Sequence, residues 1–232
     1  GGHNLSSTQG FTLAEVLVTL GIIGVVSAMT VPTLMQNYQK KSYVVQLHKV
    51  YNELSQALLQ YQTDRNALNL KEAGFLSQAA MDDFVKTYFK SVKECDTTSS
   101  CFYDNYKDLS GNVISTYSTN IKSYVFTSGV SMRLLYYPKN NIIASAMIDI
   151  NGQKGPNIVG RDLFVMYLYN NGILDDMAAK GGSDDDTEVT ASVPMTSDQR
   201  EQRFNNYCNS NNANNYHGCF GKILNDNWEM TY

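Results

Sequence analysis

The chain has 232 residues, with 18 Lys and Arg residues against 22 Asp and Glu residues and a net charge of −4. This balance produces no cationic field, so the composition excludes the nucleic-acid binders that rely on overall positive charge. Once an apolar N-terminal run is set aside, the remaining length suits one folded domain of ordinary size.

The N-terminal part of the chain contains a long apolar run over residues 11–34, preceded by Gly10. Its only ionisable side chain is that of Glu15, and about 18 apolar residues are enough for a helix to cross a bilayer. The run therefore predicts a membrane-spanning helix. A carboxylate costs about 3 kcal/mol at the centre of such a helix and less near its end, which predicts a partner or a function for Glu15.

Residues 1–10 precede this run and are interpreted as a leader segment whose native start lies upstream, because they contain neither an initiator Met nor any Lys or Arg. An ordinary secretory signal has a basic start and a shorter apolar core than this one. Lys40 and Lys41 follow the run, and on their own they would place the C-terminal part in the cytoplasm. The four cysteines favour an oxidising compartment instead, and we follow the cysteines.

The start of the apolar run reads Gly10-Phe11-Thr12-Leu13-Ala14-Glu15. This motif resembles the N-terminus of the type IV pilins and the type II secretion pseudopilins. In that family a prepilin peptidase cuts after the glycine and methylates the new N-terminus. The resemblance therefore implies cleavage between Gly10 and Phe11. It also extends to Glu15 and Pro32, which match the acidic residue and the helix-kinking proline of the family.

Glu15 has a physical role in such a protein. Cleavage would create an α-amino group at Phe11, which lies on the same helix face as Glu15. Pairing this cation with a carboxylate, within one subunit or between neighbours, offsets the cost of placing either charge in lipid. We therefore expect Glu15 to set the register of assembly.

Two interpretations stay open for the middle of the run, which contains Gly21, Gly24 and Pro32. Glycines and a proline weaken a helix, and the resemblance implies that this segment loses helical structure on assembly. Alternatively, the small residues form a face for helix packing.

The helix is predicted to continue as an amphipathic half over residues 35–64. Apolar residues recur there at spacings of three and four, with polar residues on the opposite side. The predicted apolar face consists of Val44, Leu47, Val50, Tyr51, Leu54, Ala57, Leu58 and Tyr61. A helix that is half membrane-embedded and half soluble indicates a filament spine that carries a head. His48 lies on this helix without a second His at ligand spacing, so we interpret it as a surface or packing residue.

Residues 65–232 are predicted to form a globular α+β head. A helical stretch over residues 66–95 is expected first, with an apolar face of Met81, Phe84, Val85, Tyr88, Phe89 and Val92. Antiparallel strands are then predicted over residues 121–126, 130–137 and 142–150, with a turn over residues 138–141. The strand from Ile142 alternates, which predicts that one face lies on the spine helix. Residues 163–169 are apolar on both faces, as in a buried strand or a short helix.

Four cysteines fall in two close pairs, Cys95 with Cys101 and Cys208 with Cys219. An even number of cysteines in short loops favours disulfides. A metal site shared between the pairs is the alternative, but the chain has no C-x-x-C unit. The resemblance to pilins places Cys208 and Cys219 at the disulfide that bounds a variable region exposed on the fibre.

A polar, glycine-rich turn begins at Asp149 and Asn151. These two residues resemble the start of a calcium loop, but no Glu follows at the end of the loop, and we favour a structural turn. A mobile loop or insertion is expected near residues 178–196. Ser197 is expected to cap a short helix through Asn206.

The sequence contains no recognisable catalytic constellation, since its three histidines are scattered and no nucleophile or metalloprotease motif occurs. An enzyme is therefore not expected. The fold expected from the resemblance is α+β and pilin-like, with a long N-terminal spine helix packed on an antiparallel sheet and disulfides in the head.

The expected function is that of a major or minor structural subunit of a type IV pilus or a type II secretion pseudopilus. The resemblance implies other pilin subunits, a prepilin peptidase and an inner-membrane assembly platform as partners, and no nucleic acid is expected. It also implies a single-pass inner-membrane location before assembly and a periplasmic pseudopilus or an extracellular pilus afterwards. The alternative is a minor pilin at the filament tip whose head binds a surface, a glycan or DNA.

Overall fold

The computed structural model describes residues 10–114, 120–177, 193–209 and 216–232. The chain divides into two compact units, residues 1–40 and 41–232. A long helix, α1 (Leu13–Asp64), contributes residues to both units, and its two parts are described separately below. The predicted long N-terminal helix is confirmed.

In the second unit, α1 is amphipathic. Its buried residues are Val44, Leu47, Val50, Leu54, Ala57, Leu58 and Tyr61, which is the predicted face with Tyr51 only half-buried. All seven belong to one hydrophobic core together with the sheet. Because burying one large apolar side chain contributes about 2 kcal/mol, this stripe is enough to hold the helix on the head.

The second helix is much shorter than the predicted stretch over residues 66–95. Helix α2 (Gln78–Tyr88) begins after Ser77, whose hydroxyl accepts a hydrogen bond from the Ala80 N–H, and it ends where Phe89 turns extended. The next residues form strand β1 (Ser91–Cys95) instead. The prediction was wrong there because pairing with the following strand overrides the helical spacing, and Val92 is 64% exposed rather than buried.

The described part of the head contains a six-stranded antiparallel sheet in the order β1-β2-β3-β4-β5-β6. The remaining strands are β2 (Ser123–Phe126), β3 (Ser131–Lys139), β4 (Ile142–Asp149), β5 (Leu163–Tyr169) and β6 (Leu174–Asp175). The predicted strands are confirmed to within a few residues, and residues 163–169 form a strand. Both faces of β4 are buried, so the predicted one-sided burial of this strand was incomplete.

Three short helical segments follow the sheet. They are α3 (Ser197–Arg203), a π-helical turn (Phe204–Cys208) and α4 (Cys219–Asn225). Thr196, not Ser197, caps α3, because its side chain and that of Gln199 form a reciprocal capping box. Most of the loop predicted near residues 178–196 lies outside the described residues.

Candidate functional site

The start of α1 carries a reciprocal pair of hydrogen bonds. The Thr12 N–H donates to Glu15 Oε2 at 2.9 Å, and the Glu15 N–H donates to Thr12 Oγ1 at 3.2 Å. This arrangement is a capping box, which satisfies backbone donors that a helix start otherwise leaves unpaired. The carboxylate also lies at the positive end of the helix dipole. The position of Glu15 is therefore stabilised by its own helix.

Gly10 and Phe11 precede the helix and are exposed, and the Phe11 side chain is 88% exposed. The Thr12 N–H that bonds to Glu15 belongs to the residue after Phe11. A cut between Gly10 and Phe11 would therefore leave the capping box intact, while it converts the Phe11 N–H into an amine.

The part of α1 in the first unit exposes an apolar surface. Its exposed large apolar residues are Leu13, Val16, Leu17, Val18, Leu20, Ile22, Ile23, Val25, Val26, Met29, Val31, Leu34, Met35 and Tyr38. Among the described residues this is the one helix long and apolar enough to cross a membrane, and none of its most apolar window is buried. A continuous apolar surface of this extent requires lipid or protein to cover it.

Gly21, Gly24 and Pro32 lie within the same helical part. A Cβ added at Gly21 or Gly24 would meet no atom within 4 Å, so space for a close neighbour exists at both positions. Pro32 removes one backbone donor from the helix. These observations are compatible both with a weakened segment and with a packing face.

Comparison of the sequence with known protein families points to the same part of the chain. The family model for the prokaryotic N-terminal methylation motif matches residues 5–31, which include Gly10, Phe11 and Glu15. The chain carries the type IV pilin and pseudopilin signature. No curated protein and no solved structure matches the chain. The description of the fold of this pilin-like chain therefore relies on the structure of the chain itself.

Two disulfides staple the head of the pilin-like chain. Cys95 bonds to Cys101 with an S–S distance of 2.10 Å, and Cys208 bonds to Cys219 with an S–S distance of 1.99 Å. The prediction of disulfides is confirmed, and the structure now gives the pairing. Because all four sulfurs are in disulfides, they are not available as thiolate ligands, which removes the alternative of a shared metal site.

The turn after β4 is built around Asp149, which is fully buried. Its Oδ1 accepts the Asn151 N–H at 3.1 Å, and its Oδ2 accepts the Tyr106 hydroxyl. Burial, with a smaller contribution from the nearby Asp162 carboxylate, raises the pKa of Asp149 to about 7, although these hydrogen bonds oppose the rise. One carboxylate oxygen therefore bonds within the turn, and the other ties the turn to Tyr106. The preference for a structural turn over a calcium loop at Asp149 and Asn151 stays a prediction.

Two adjacent aspartates that the sequence analysis missed attach the C-terminal helices to the sheet. Asp175 receives two hydrogen bonds from the Arg200 guanidinium of α3, at 2.9 and 2.7 Å. Asp176 accepts the N–H groups of Gly218 and Gly221 at the start of α4, at 3.0 and 2.9 Å. A carboxylate at a helix N-terminus satisfies unpaired backbone donors and the helix dipole. We call Asp175 and Asp176 the aspartate clamp.

The two described histidines of the pilin-like chain are packing residues. His48 stacks on Trp228 with ring centroids 3.9 Å apart. His217 is buried, and its Nδ1 lies 3.0 Å from the Tyr167 hydroxyl. Burial, together with the positive charge of Arg203, lowers the pKa of His217 to about 3. His217 is therefore neutral at physiological pH.

Proposed function

We propose that the chain is a structural subunit of a type IV pilus or a type II secretion pseudopilus and that it assembles through the N-terminal part of α1. The observation that carries this proposal is the uncovered apolar surface of α1, which begins at Leu13 and lies largely within the methylation motif that also contains Glu15. In the membrane, lipid covers this surface. In a filament, the same surfaces of neighbouring subunits cover one another.

Processing by a prepilin peptidase is proposed to cut between Gly10 and Phe11 and to methylate the Phe11 amine. The exposure of both residues outside the helix supports this proposal, because a peptidase needs an extended and accessible bond. N-methylation of the amine keeps its positive charge.

Glu15 is proposed to direct docking of each subunit. The amine at Phe11 of one subunit pairs with the carboxylate of a neighbour, and this pairing offsets the cost of holding both charges in an apolar core. A carboxylate accepts several hydrogen bonds, so this pairing and the capping box to Thr12 can be satisfied together. Pro32 is proposed to allow the helix to change locally during this transfer.

Before assembly, the subunit is proposed to cross the inner membrane once and to interact with the assembly platform and with other pilin subunits. The two disulfides fit a head that folds in an oxidising compartment. The final location is then a periplasmic pseudopilus or an extracellular pilus. A structural protein of this kind needs no catalytic site.

A position at the filament tip is the second placement that the fold permits. A tip subunit would use its head to bind a ligand, whereas a lateral subunit uses the head mainly as a coat. Antibody labelling of purified filaments distinguishes them, because lateral subunits are labelled along the whole length and tip subunits only at one end.

The proposal is tested by replacing Glu15 in the native host. We expect Glu15→Ala to be processed and inserted in the membrane but lost from sheared filaments. The matched control is Glu53→Ala, which removes an exposed acid from the same helix within the head and breaks only the exposed Lys49 pair. Mass spectrometry of the mature N-terminus should give an N-methylated Phe11.

Two results would contradict the proposal. One is normal filament incorporation of Glu15→Ala. The other is a mature protein that begins at a residue other than Phe11. Loss of incorporation in both variants would indicate a general folding defect rather than a specific role for Glu15.

A further inference from the structure

A pocket of about 470 Å³ lies on the head, next to the edge strand β1. Its lining includes Lys93, Val125, Ser131, Gln153 and Lys154. We call it the lysine pocket. Pockets of roughly 300–1,000 Å³ are the usual size for small-molecule sites.

Strand register builds the floor of the lysine pocket. Lys93 pairs with Val125, Val125 pairs with Ser131, and Ser131 pairs with Asp149. Directly paired residues point to the same face of an antiparallel sheet, so this row runs from an exposed lysine inward to a buried carboxyl group. The Ser131 hydroxyl donates to the Cys101 carbonyl at 2.7 Å, which joins the floor to the first disulfide loop.

Two lysines, Lys93 and Lys154, line the pocket. The Lys93 Nζ donates to the Ser100 carbonyl at 2.8 Å, which fixes its position and leaves further N–H donors for a ligand. Lys154 lies on the opposite turn. None of the described lining residues is Asp or Glu, although the whole chain has a net charge of −4. The pocket is therefore locally cationic on an acidic protein.

The wall of the lysine pocket is held in place by backbone contacts. Gln153 donates from Nε2 to the Phe102 carbonyl at 3.0 Å. Gly152 has a φ of 69°, and a Cβ there would lie 2.9 Å from the Gly129 carbonyl oxygen. Only glycine fits this approach of two turns. The wall at Gly152 and Gln153 is therefore formed before any ligand arrives.

We propose that the lysine pocket binds a small hydroxylated carboxylate of the uronic acid class. The two ammonium groups match the carboxylate, and the polar groups of Ser100 and Gln153 match sugar hydroxyls. Val125 and Cys101 supply an apolar floor for the ring. This site is a property of the folded head and does not depend on polymerisation.

The test uses the full chain in micelles of a polyoxyethylene detergent, which has no sugar headgroup to compete. Glucuronate is titrated and followed by calorimetry or by chemical shifts, with glucose and inorganic sulfate as separate titrants. We expect saturable binding of glucuronate and at least about tenfold weaker binding of glucose and of sulfate. Glucose lacks the negative charge that the lysines recognise, and sulfate lacks the hydroxylated ring. Sulfate binding as tight as glucuronate would overturn the assignment to a sugar acid, and glucose binding as tight as glucuronate would overturn the role of the lysines.

Substitutions locate the site. Lys93→Gln and Lys154→Gln should each weaken glucuronate binding about tenfold, because each removes one charge-assisted hydrogen bond. Lys90→Gln is the matched control, since it removes the same charge from an exposed lysine near β1 that does not line this pocket. Equal weakening in all three variants would indicate only a general charge effect and would refute the proposal, as would an absence of binding to the unmodified chain.

Discussion

Acid should destabilise the head through His217. Its folded pKa is about 3, compared with 6.5 when unperturbed, because burial and the Arg203 charge disfavour the imidazolium form. The folded state therefore stays neutral while the unfolded state takes up a proton. The stability that neutral His217 contributes is complete above pH 6.5 and is lost as the pH falls from 6.5 towards 3.

Between pH 7 and pH 5 this loss is about 2 kcal/mol, since one pKa unit corresponds to about 1.4 kcal/mol and the unfolded pKa lies 1.5 units above pH 5. His217→Gln is the informative variant. Glutamine does not titrate, and its amide can bond to the Tyr167 hydroxyl in place of the imidazole.

Urea unfolding of the full chain in micelles provides the measurement. Trp228 is the only tryptophan and reports on the head. The urea midpoint is the quantity to compare, because it does not depend on the absolute fluorescence intensity at each pH. The wild type should lose about 2 kcal/mol more than His217→Gln between pH 7 and pH 5. Equal losses in the two proteins would refute the reasoning.

Three further predictions concern the head. Gly160→Ala should lower the free energy of unfolding by about 2 kcal/mol, because its φ is 82° and an added Cβ would lie 2.9 Å from a disulfide sulfur. Gly111→Ala is the control, since its φ is 88° but an added Cβ would meet no atom within 4 Å, and it should lower the free energy of unfolding by only about 1 kcal/mol. Arg200→Ala should cost about 3 kcal/mol, because it leaves the Asp175 carboxylate buried without its cation. Asp149 has a raised pKa of about 7 against an ordinary 3.8, so the stability it contributes is complete below pH 3.8 and is lost as the pH rises through 7. Thermal or urea unfolding should therefore show that Asp149→Asn removes up to about 4 kcal/mol of this loss.

Each of these predictions has a result that would contradict it. Equal costs for the two glycine substitutions would show that the disulfide contact is unimportant. A loss below 1 kcal/mol for Arg200→Ala would place its ion pair with the weak surface pairs. An unchanged pH profile in Asp149→Asn would show that this carboxyl group is not the source of the stability loss between pH 3.8 and 7.

The sequence predicted best the elements whose pattern is local. The buried stripe of α1 from Val44 to Tyr61 follows from spacing alone, because one face of a regular helix packs on one core. The stretch over residues 66–95 was predicted poorly. Helical spacing there continues past Tyr88, but β1 is fixed by its pairing with β2, and such a contact between distant residues leaves no periodic signal.

In the candidate site, too, residues with a local sequence signal could be predicted, and residues that depend on distant contacts could not. Glu15 stands out because a lone acid in an apolar run is conspicuous, and Thr12, three residues earlier, completes the spacing of a capping box. The aspartate clamp could not be predicted. Asp175 reaches a partner 25 residues later and Asp176 reaches one 42 residues later. Nothing in the local sequence specifies which backbone groups those carboxylates will meet.

The strand order of the sheet has a consequence for synthesis. Each strand pairs with the strand directly before it in the chain, so every new strand finds its partner already made. None of the six described strands has to be inserted between two others, and local pairing of this kind favours rapid folding. The aspartate clamp on the last strand then receives α3 and α4, which are made last. The head can therefore be completed in the order in which a ribosome delivers it, without waiting for the C-terminus to organise the sheet.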